Sequence, residues 1–376
     1  MHISSKERQG KMANLMDKFI GCIAGSWVGS AMGAPVEGWS FEEIERRYGT
    51  LDRMLLYKHN ITHTDWERPP GTTEDGIERQ KLIATAIIDK QDRIDCYDLV
   101  NTWLRDLSPA KMLFKMEKFD ISLLEWARAG VEPTELGRLV PFGELVTVAR
   151  SSHPIGLINA GDPESAARDT FEVGRVYAPD GSAALRWGAL YNAAVAEACR
   201  EEATVESVLE VTQRYALYRD SRGLRSMYDY IGQQLEWALE LGTTHREPQA
   251  LREAFYRHYH GGEHIPYGAS YASEVVTKGL AIFAATHGDP RKAILCAVNF
   301  GRDTDCLAAI AGGLAGALRG AGEIPQEWIS QVDEATRQDP YTNNRRTIRE
   351  TAEGLHAAFV VRLRRLRRYL DEMEDR

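Results

Sequence analysis

The sequence predicts an all-α protein that folds as one compact helical bundle. Several long segments carry apolar residues at spacings of three and four, which is typical of helices with one buried face. No run rich in Val and Ile alternates with helices, as a doubly wound sheet would require. The 376 residues include 43% hydrophobic and 27% charged side chains, a globular composition that can bury a sizeable core.

The first element is a helix in which glycine recurs at every fourth position. Four glycines fall on one face at this spacing: Gly21, Gly25, Gly29 and Gly33. Because each costs a helix about 0.5 to 1 kcal/mol relative to alanine, their alignment indicates a central helix that another backbone approaches closely. The end of this helix delivers Glu37. Glu37 is a site carboxylate, or it is a surface residue that follows a plain core helix.

The next element is a turn that leads into a helix with an acidic start. A Pro-Gly pair signals the turn, and Thr72 or Thr73 can cap the helix that follows. Glu74 and Asp75 come directly after the threonines. Since the helix dipole alone favours acidic residues in a first turn, a purely structural role for this pair stays open.

Further helices are predicted along the middle of the chain. Three segments with helical spacing are residues 81–89, 183–199 and 204–216. Asp-Pro pairs mark two helix starts, because Asp can cap and Pro is tolerated in the first turn: Asp162-Pro163 and Asp289-Pro290. Loops are expected at residues 66–73, 153–156 and 260–268. None of these loops is long enough to link two domains.

The late segment 301–317 places two aspartates before a helix of small apolar residues. Asp303 and Asp305, with Thr304 between them, could cap that helix, but two carboxylates at this spacing also suit a hard divalent cation. If the fold brings residues 73–75 beside them, the carboxylates would repel each other unless a cation neutralised them. An all-oxygen ligand set favours Mg²⁺ or Mn²⁺ over zinc.

Composition narrows the class of partner. The net charge of −9 argues against broad binding of nucleic acid or an anionic membrane, so we expect neither partner. Five scattered cysteines without a CxxC pair suit a reducing compartment, and we expect a cytoplasmic protein. We see no signal peptide and expect no segment with the roughly 20 apolar residues of a membrane span. The GxSxG, phosphate-loop and HExxH motifs are absent.

We expect a single domain with two short extensions. The domain covers residues 17–340. A polar tail precedes it over residues 1–16, and a C-terminal helix over residues 341–376 packs on the same domain. The oligomeric state is left open.

Four motifs, in this order along the chain, resemble the ADP-ribosylglycohydrolase family, the group that contains ADP-ribosylarginine hydrolase and the dinitrogenase-reductase-activating glycohydrolase. Residues 25–37 are similar to the family's glycine-rich helix followed by Gly and Glu. Residues 73–75 resemble its Thr-Asp-Asp turn, and residues 153–168 its Pro-x-Gly-Leu segment. Residues 302–318 resemble its Gly-Asp-x-Asp-Thr segment and the Ala/Gly helix after it. The resemblance covers about residues 17–330.

The resemblance implies an orthogonal multi-helix bundle with a central cleft. This cleft would bind two Mg²⁺ ions, with Mn²⁺ as the alternative, and would hydrolyse a bond at the anomeric carbon of an ADP-ribosyl or related ribosyl group. The implied metal ligands are Thr73, Glu74, Asp75, Asp303 and Asp305. Glu37 would lie beside the metals as the catalytic carboxylate. The expected substrate contacts are His153, Pro154, Ile155 and Gly156, as a loop, and Tyr177. For Tyr177 a core position is the alternative.

The sequence departs from the family's pattern near these motifs. The positions concerned are Ser30, Glu74, Gly76, Tyr177 and Cys306. Glu74 is longer than the usual Asp, and Gly76 stands where Thr is common. The thiol of Cys306 replaces a hydroxyl and suits Mg²⁺ poorly, which predicts a second metal that is weaker or differently bound. Glu78 adds a carboxylate one turn on, so Cys306 and Glu78 are neighbours of the metal site without an assigned role.

Three functions remain open at this point. The leading interpretation is an Mg²⁺-dependent glycosidase that cleaves a bond to ribose in an ADP-ribosylated conjugate or a related small molecule. The second keeps the fold and the metals but changes the substrate to a nucleoside, a nucleotide or another small glycoside. The departures at Gly76, Tyr177 and Cys306 motivate it. The third is a non-catalytic ligand-binding or structural homologue, against which the retained acidic residues argue.

Overall fold

The protein is helical throughout almost all of the described chain, as the sequence predicts. The computed structural model describes residues 13–58, 67–107, 118–140, 143–216, 230–259, 270–338 and 345–374. These residues include 17 α-helices packed in a compact bundle. Strand structure within the described ranges consists of one short antiparallel pair, β1 (Tyr57–Lys58) and β2 (Glu67–Arg68). The all-α fold class is therefore confirmed.

Helices make up most of the described chain. The first eight are α1 (Leu15–Gly33), α2 (Phe41–Tyr48), α3 (Asp75–Lys90), α4 (Cys96–Asp106), α5 (Lys118–Arg128), α6 (Thr147–Ser151), α7 (His153–Ile158) and α8 (Pro163–Gly174). The remaining nine are α9 (Ala183–Ala198), α10 (Val205–Tyr215), α11 (Tyr230–Thr244), α12 (Pro248–Tyr259), α13 (Ala272–Ala285), α14 (Pro290–Val298), α15 (Thr304–Arg319), α16 (Gln326–Gln338) and α17 (Ile348–Glu374). Short 3₁₀ turns cover Ala34–Val36 and Leu136–Arg138.

The helix starts predicted at the two Asp-Pro pairs are confirmed. Asp162 caps α8 by accepting a hydrogen bond from the backbone N–H of Ser165 at 3.0 Å. Asp289 caps α14 in the same way, with the N–H of Lys292 at 2.9 Å. In both helices the proline occupies the first turn, where its missing N–H has no helical partner to lose.

Helices α1 and α15 pack backbone to backbone in opposite directions. A β-carbon added at Gly25 would lie only 2.0 Å from the carbonyl oxygen of Gly312, and the other three glycines of this face make similarly close approaches to α15. Gly33, at the end of α1, accepts a hydrogen bond from Thr304 Oγ1 at 2.8 Å. The glycine spacing therefore marks a closely packed central helix, as predicted. The pairing also places the residues after α1 beside the start of α15.

The expectation that no segment is apolar enough to span a membrane was wrong by length and composition. Residues Leu15–Val36 have a mean hydropathy of 1.4 over a suitable length. All of this window is buried inside the protein, and the core helix of a soluble protein passes the same test. The high hydropathy of α1 is explained by its central position, because helices of a large core are apolar on every face.

Helix α17 packs its first half on the bundle. The ring of Phe19 on α1 meets His356 edge-on at 5.4 Å and lies 6.0 Å from Phe359. Most of the polar tail expected at residues 1–16, and the whole loop expected at residues 260–268, lie outside the described residues. The loop expected at residues 153–156 is instead the start of α7, because Pro154 sits in the first turn of a short buried helix.

Candidate active site and metal centre

The loop after α1 is tied to the segment before α15 by two backbone hydrogen bonds. Gly38 N–H donates to the carbonyl of Arg302 at 2.7 Å, and Arg302 N–H donates to the carbonyl of Trp39 at 2.8 Å. Gly301 has a φ of +79°, a conformation that favours glycine, and a β-carbon there would lie 2.7 Å from the backbone nitrogen of Phe41. This close contact holds the loop that carries Glu37 against the start of α15.

Glu37 consequently lies beside the acidic start of α15. It is half-buried, whereas Asp303 and Asp305 are 4% and 2% exposed. Burial, followed by the negative charges of Asp305 and Asp303, raises the pKa of Glu37 well above its usual range. The predicted proximity of Glu37 to these two aspartates is thus present in the structure.

Asp303 and Asp305 form a buried pair of carboxylates. Asp303 Oδ1 caps α15 by accepting from the N–H of Cys306 at 3.2 Å. Within the described part of the chain, neither Asp303 Oδ2 nor Asp305 Oδ1 has a hydrogen-bond partner. Burial and the neighbouring Asp305 raise the pKa of Asp303 to about 8. The pair therefore offers two buried oxygens that lack a donor, which is an arrangement a cation would stabilise.

Cys306 is a neighbour of this pair. Ligand atoms of Asp303, Asp305 and Cys306 all lie within 4.8 Å of one another, so the three form a possible acidic metal site. Burial raises the pKa of the Cys306 thiol well above its ordinary value. A buried neutral thiol is a poor donor for a hard cation, so a cation bound here would take its oxygen ligands from the two carboxylates.

The second acidic segment lies at the start of α3. Glu74 is the N-cap, and its Oε2 accepts from the N–H of Gly76 at 3.0 Å while its Oε1 accepts from Ser30 Oγ at 2.8 Å. Asp75 Oδ1 accepts from the same N–H at 2.8 Å, and its Oδ2 pairs with Arg79 at 2.8 Å. Each of these carboxylate oxygens therefore has a partner within the protein.

The Thr73 side chain turns toward a buried ion pair. Its hydroxyl donates to Glu78 Oε1 at 3.2 Å and accepts from Lys81 Nζ at 3.2 Å. Lys81 also pairs with Glu78 at 2.8 Å. Glu78, whose role was left open, thus forms an ion pair with Lys81 and accepts a hydrogen bond from Thr73.

Arg150, on α6, joins the two acidic segments. Its Nη2 pairs with Glu74 Oε1 and lies 2.5 Å from Asp305 Oδ2, and its Nη1 lies 3.2 Å from Asp75 Oδ1. The Arg150 side chain is only 5% exposed. The expected convergence of residues 73–75 and 303–305 is therefore present, but a guanidinium lies between them. Sequence analysis did not single out Arg150.

The backbone of Arg150 is fixed from the interior. Its carbonyl accepts from Gln80 Nε2 at 2.7 Å and lies 3.0 Å from His153 Nδ1. The other ring nitrogen of His153 lies 2.7 Å from the Tyr191 hydroxyl. Burial lowers the pKa of His153 to about 4, so the imidazole is neutral at neutral pH. His153 thus supports the position of Arg150 from within the core.

The residues expected to contact substrate lie inside the protein. His153, Pro154, Ile155 and Gly156 are all buried in α7, and Tyr177 is buried against Trp103 with ring centroids 5.5 Å apart. Burial raises the pKa of the Tyr177 hydroxyl. These five positions present no exposed surface, so a substrate contact by any of them stays a prediction. The core position considered for Tyr177 is the one that it occupies.

Comparison with known proteins identifies the family. A profile of the ADP-ribosylglycohydrolase family matches residues 11–364. The chain belongs to the ADP-ribosylglycohydrolase family. The family is of the glycosyl hydrolase type and acts on ADP-ribosylated substrates, and its members typically depend on a divalent metal.

Relatives of this member of the ADP-ribosylglycohydrolase family include two uncharacterized proteins. One, from Archaeoglobus fulgidus, is 25% identical over 323 residues, which span 83% of this chain and 90% of that protein. The other, YegU of Escherichia coli, is 23% identical over 338 residues, spanning 86% and 94%. A solved structure described as an ADP-ribosylglycohydrolase-related protein complex has a TM-score of 0.61 at 20% identity, covering 92% of this chain and 98% of that one. This likeness shows that the fold is shared.

The two acidic segments differ in how well they fit the family's divalent metals. At the start of α15, the partnerless oxygens of Asp303 and Asp305 fit one hard cation. At the start of α3, the oxygens of Glu74 and Asp75 are already paired with groups of the protein. A second ion does not fit there while Arg150 holds its position.

Proposed function

We propose that this member of the ADP-ribosylglycohydrolase family is an Mg²⁺-dependent enzyme that cleaves a glycosidic bond to ribose, in an ADP-ribosyl conjugate or a related small molecule. One observation carries the proposal. The elements α1, α3 and α15 deliver five carboxylates to a single cluster, in the order along the chain that resembles the family: Glu37, Glu74, Asp75, Asp303 and Asp305.

The less buried members of the cluster indicate where a substrate would approach. Glu37 and Asp75 are partly exposed, whereas the other three carboxylates are buried. Because Asp75 is paired with Arg79 and Arg150, Glu37 is the better placed group to exchange a proton with a water or a leaving group. Hydrolysis at an anomeric carbon needs such a group, since the attacking water loses a proton and the departing atom gains one.

Asp303 and Asp305 are the residues that would bind the metal ion. A bound Mg²⁺ supplies positive charge that orients ribose hydroxyls and water and stabilises developing negative charge. A site made of oxygen donors favours Mg²⁺ over zinc. The Cys306 thiol does not alter this selectivity, because it stays protonated and neutral. Arg150 holds Asp305 in place through its Nη2 contact.

The test is a substrate panel with purified full-length protein. ADP-ribosyl-arginine, ADP-ribosyl-serine and a set of nucleosides would each be incubated with Mg²⁺, and released product would be quantified by chromatography. We expect turnover of at least one ADP-ribosyl conjugate, and its loss in Asp303→Asn. Turnover of nucleosides alone would contradict the proposal and support the alternative function.

That alternative, hydrolysis of a nucleoside, nucleotide or other small glycoside, has one observation in its favour. Gly76 and Cys306, two departures from the family's pattern, are next to carboxylates of the cluster: Gly76 N–H donates to Glu74 and Asp75, and the Cys306 thiol lies near Asp303 and Asp305. A changed cluster is compatible with a changed leaving group. The same panel distinguishes the two functions.

A further inference from the structure

The resemblance to the family implies two divalent cations. We propose that the Arg150 guanidinium takes the place of one of them, so that the chain binds a single ion, at Asp303 and Asp305. Only the part that concerns this remaining ion rests on the proposed function.

The contacts of Arg150 are those that a bridging cation would make. Its two terminal nitrogens reach carboxylates of both acidic segments: Glu74, Asp75 and Asp305. A divalent ion that bridged the same segments would need the same oxygen lone pairs. It would also stand beside a buried guanidinium, which keeps its charge at any ordinary pH. One position therefore cannot hold both cations.

Gly76 provides the space that Arg150 occupies. A β-carbon at this position would lie 2.3 Å from Arg150 Nε, 2.5 Å from Cζ and 2.6 Å from Cδ. Gly76 lies in the first turn of α3 and does not have the positive φ that would by itself favour glycine. Because glycine weakens a helix relative to alanine, its presence needs a reason. The passage of the Arg150 side chain against the helix supplies that reason.

Arg150 is held in this position independently of the carboxylates. The Gln80 amide donates to its carbonyl, and His153 contacts the same oxygen from the core. Gln80 itself is fixed by Ser26 Oγ at 2.7 Å and by Trp27 Nε1 at 3.2 Å. A buried network through α1, α3 and α7 therefore positions the backbone of Arg150, from which its side chain reaches both acidic segments.

The charges left after these pairings indicate one remaining cation site. Glu74 and Asp75 have partners, as described above, whereas Asp303 Oδ2 and Asp305 Oδ1 have none within the described residues. Asp305 shares its other oxygen with Arg150. The buried carboxylate oxygens without a partner are therefore those of the aspartate pair, which has the oxygen donors for one ion but lacks the α3 oxygens needed for a second.

The test is the stoichiometry of Mn²⁺ binding to the metal-free full chain, by calorimetry and electron paramagnetic resonance. We expect one Mn²⁺ per wild-type chain, with the signal of an isolated ion. Arg150→Met keeps an unbranched stem but removes the charge, and we expect it to bind two ions with an exchange-coupled signal. Arg93→Met is the control, because Arg93 also pairs with a buried carboxylate, that of Asp169, which is not one of the five carboxylates of the acidic cluster. This control should bind one ion.

The outcomes separate this inference from the proposed function. Two coupled ions in the wild-type chain would overturn the inference, even if Arg150→Met does not fold, and would leave metal-dependent hydrolysis standing. A single ion in both wild type and a folded Arg150→Met would overturn it as well. Ions bound only by Arg150→Met would overturn the part of the inference that gives the native chain one ion, and would refute metal dependence of the native enzyme. No ion in either protein would refute both.

Discussion

The packing of α1 on α15 predicts that Gly25→Ala is strongly destabilising. The added β-carbon would lie 2.0 Å from the carbonyl oxygen of Gly312 and 2.5 Å from its carbonyl carbon. An ordinary contact needs at least about 3.4 Å, and both atoms belong to helix backbone, so the two helices must separate by more than about 1 Å. Overpacking of this kind costs about 1 to 3 kcal/mol, and the clash of two backbones lies at the upper end.

Alanine would also favour the helix by about 1 kcal/mol, so the net loss expected for Gly25→Ala is about 2 kcal/mol. Urea unfolding followed by circular dichroism measures this loss. The matched control is Gly354→Ala in α17, where the new β-carbon meets only the flexible end of the Ile88 side chain at 2.6 Å. We expect the control to change stability by less than about 1 kcal/mol. A Gly25→Ala protein as stable as this control would refute the packing argument.

Four further predictions concern the site and its supports. The pKa of His153 is about 6.5 in the unfolded chain and about 4 in the folded chain, so only the unfolded chain binds this proton between these two pH values. The free energy of unfolding should therefore fall by about 3 kcal/mol as the pH is lowered across this window. In urea unfolding at several pH values, His153→Gln should lack this decrease. Arg79→Met leaves the buried Asp120 carboxylate without this cation and should cost about 3 to 5 kcal/mol, measured by thermal unfolding against wild type. Asp303→Asn should abolish the rise in melting temperature that saturating Mn²⁺ gives the wild-type chain; an unchanged rise would place the ion elsewhere. Glu37→Gln should lower kcat about 10² to 10⁴-fold in the substrate assay, while its affinity for Mn²⁺ stays within about twofold of the wild-type value. A large loss of Mn²⁺ affinity would instead identify Glu37 as a metal ligand.

Local signals in the sequence predicted much of the fold. The glycine period of α1 and the Asp-Pro starts of α8 and α14 depend on residues close together in the chain, so their physical consequences can be read directly. The acidic start of α15 was recognisable for the same reason. The misread segment was α7, where a short Pro-containing helix was taken for a loop because it has fewer than two turns of apolar pattern.

The part of the site that the sequence did not reveal depends on long-range contacts. Arg150 lies 75 residues from Asp75 and 155 from Asp305, and no local motif distinguishes it from other arginines. The one trace of it in the sequence is Gly76, which was noticed as a departure but whose cause lies in the packing of α6 on α3. Similarly, Tyr177 was expected to form a wall of the cleft, and only the tertiary fold places it against Trp103.

The buried Arg150 also bears on the order in which the protein matures. Carboxylates brought together during folding normally wait for an external ion, so the apo form of such a centre is strained and sensitive to chelators. Here the Arg150 guanidinium, which is part of the chain itself, supplies some of the positive charge that neutralises these carboxylates. The native architecture can therefore assemble before any divalent ion binds, and under the proposed function a shortage of divalent ions would lower activity while the fold stays intact.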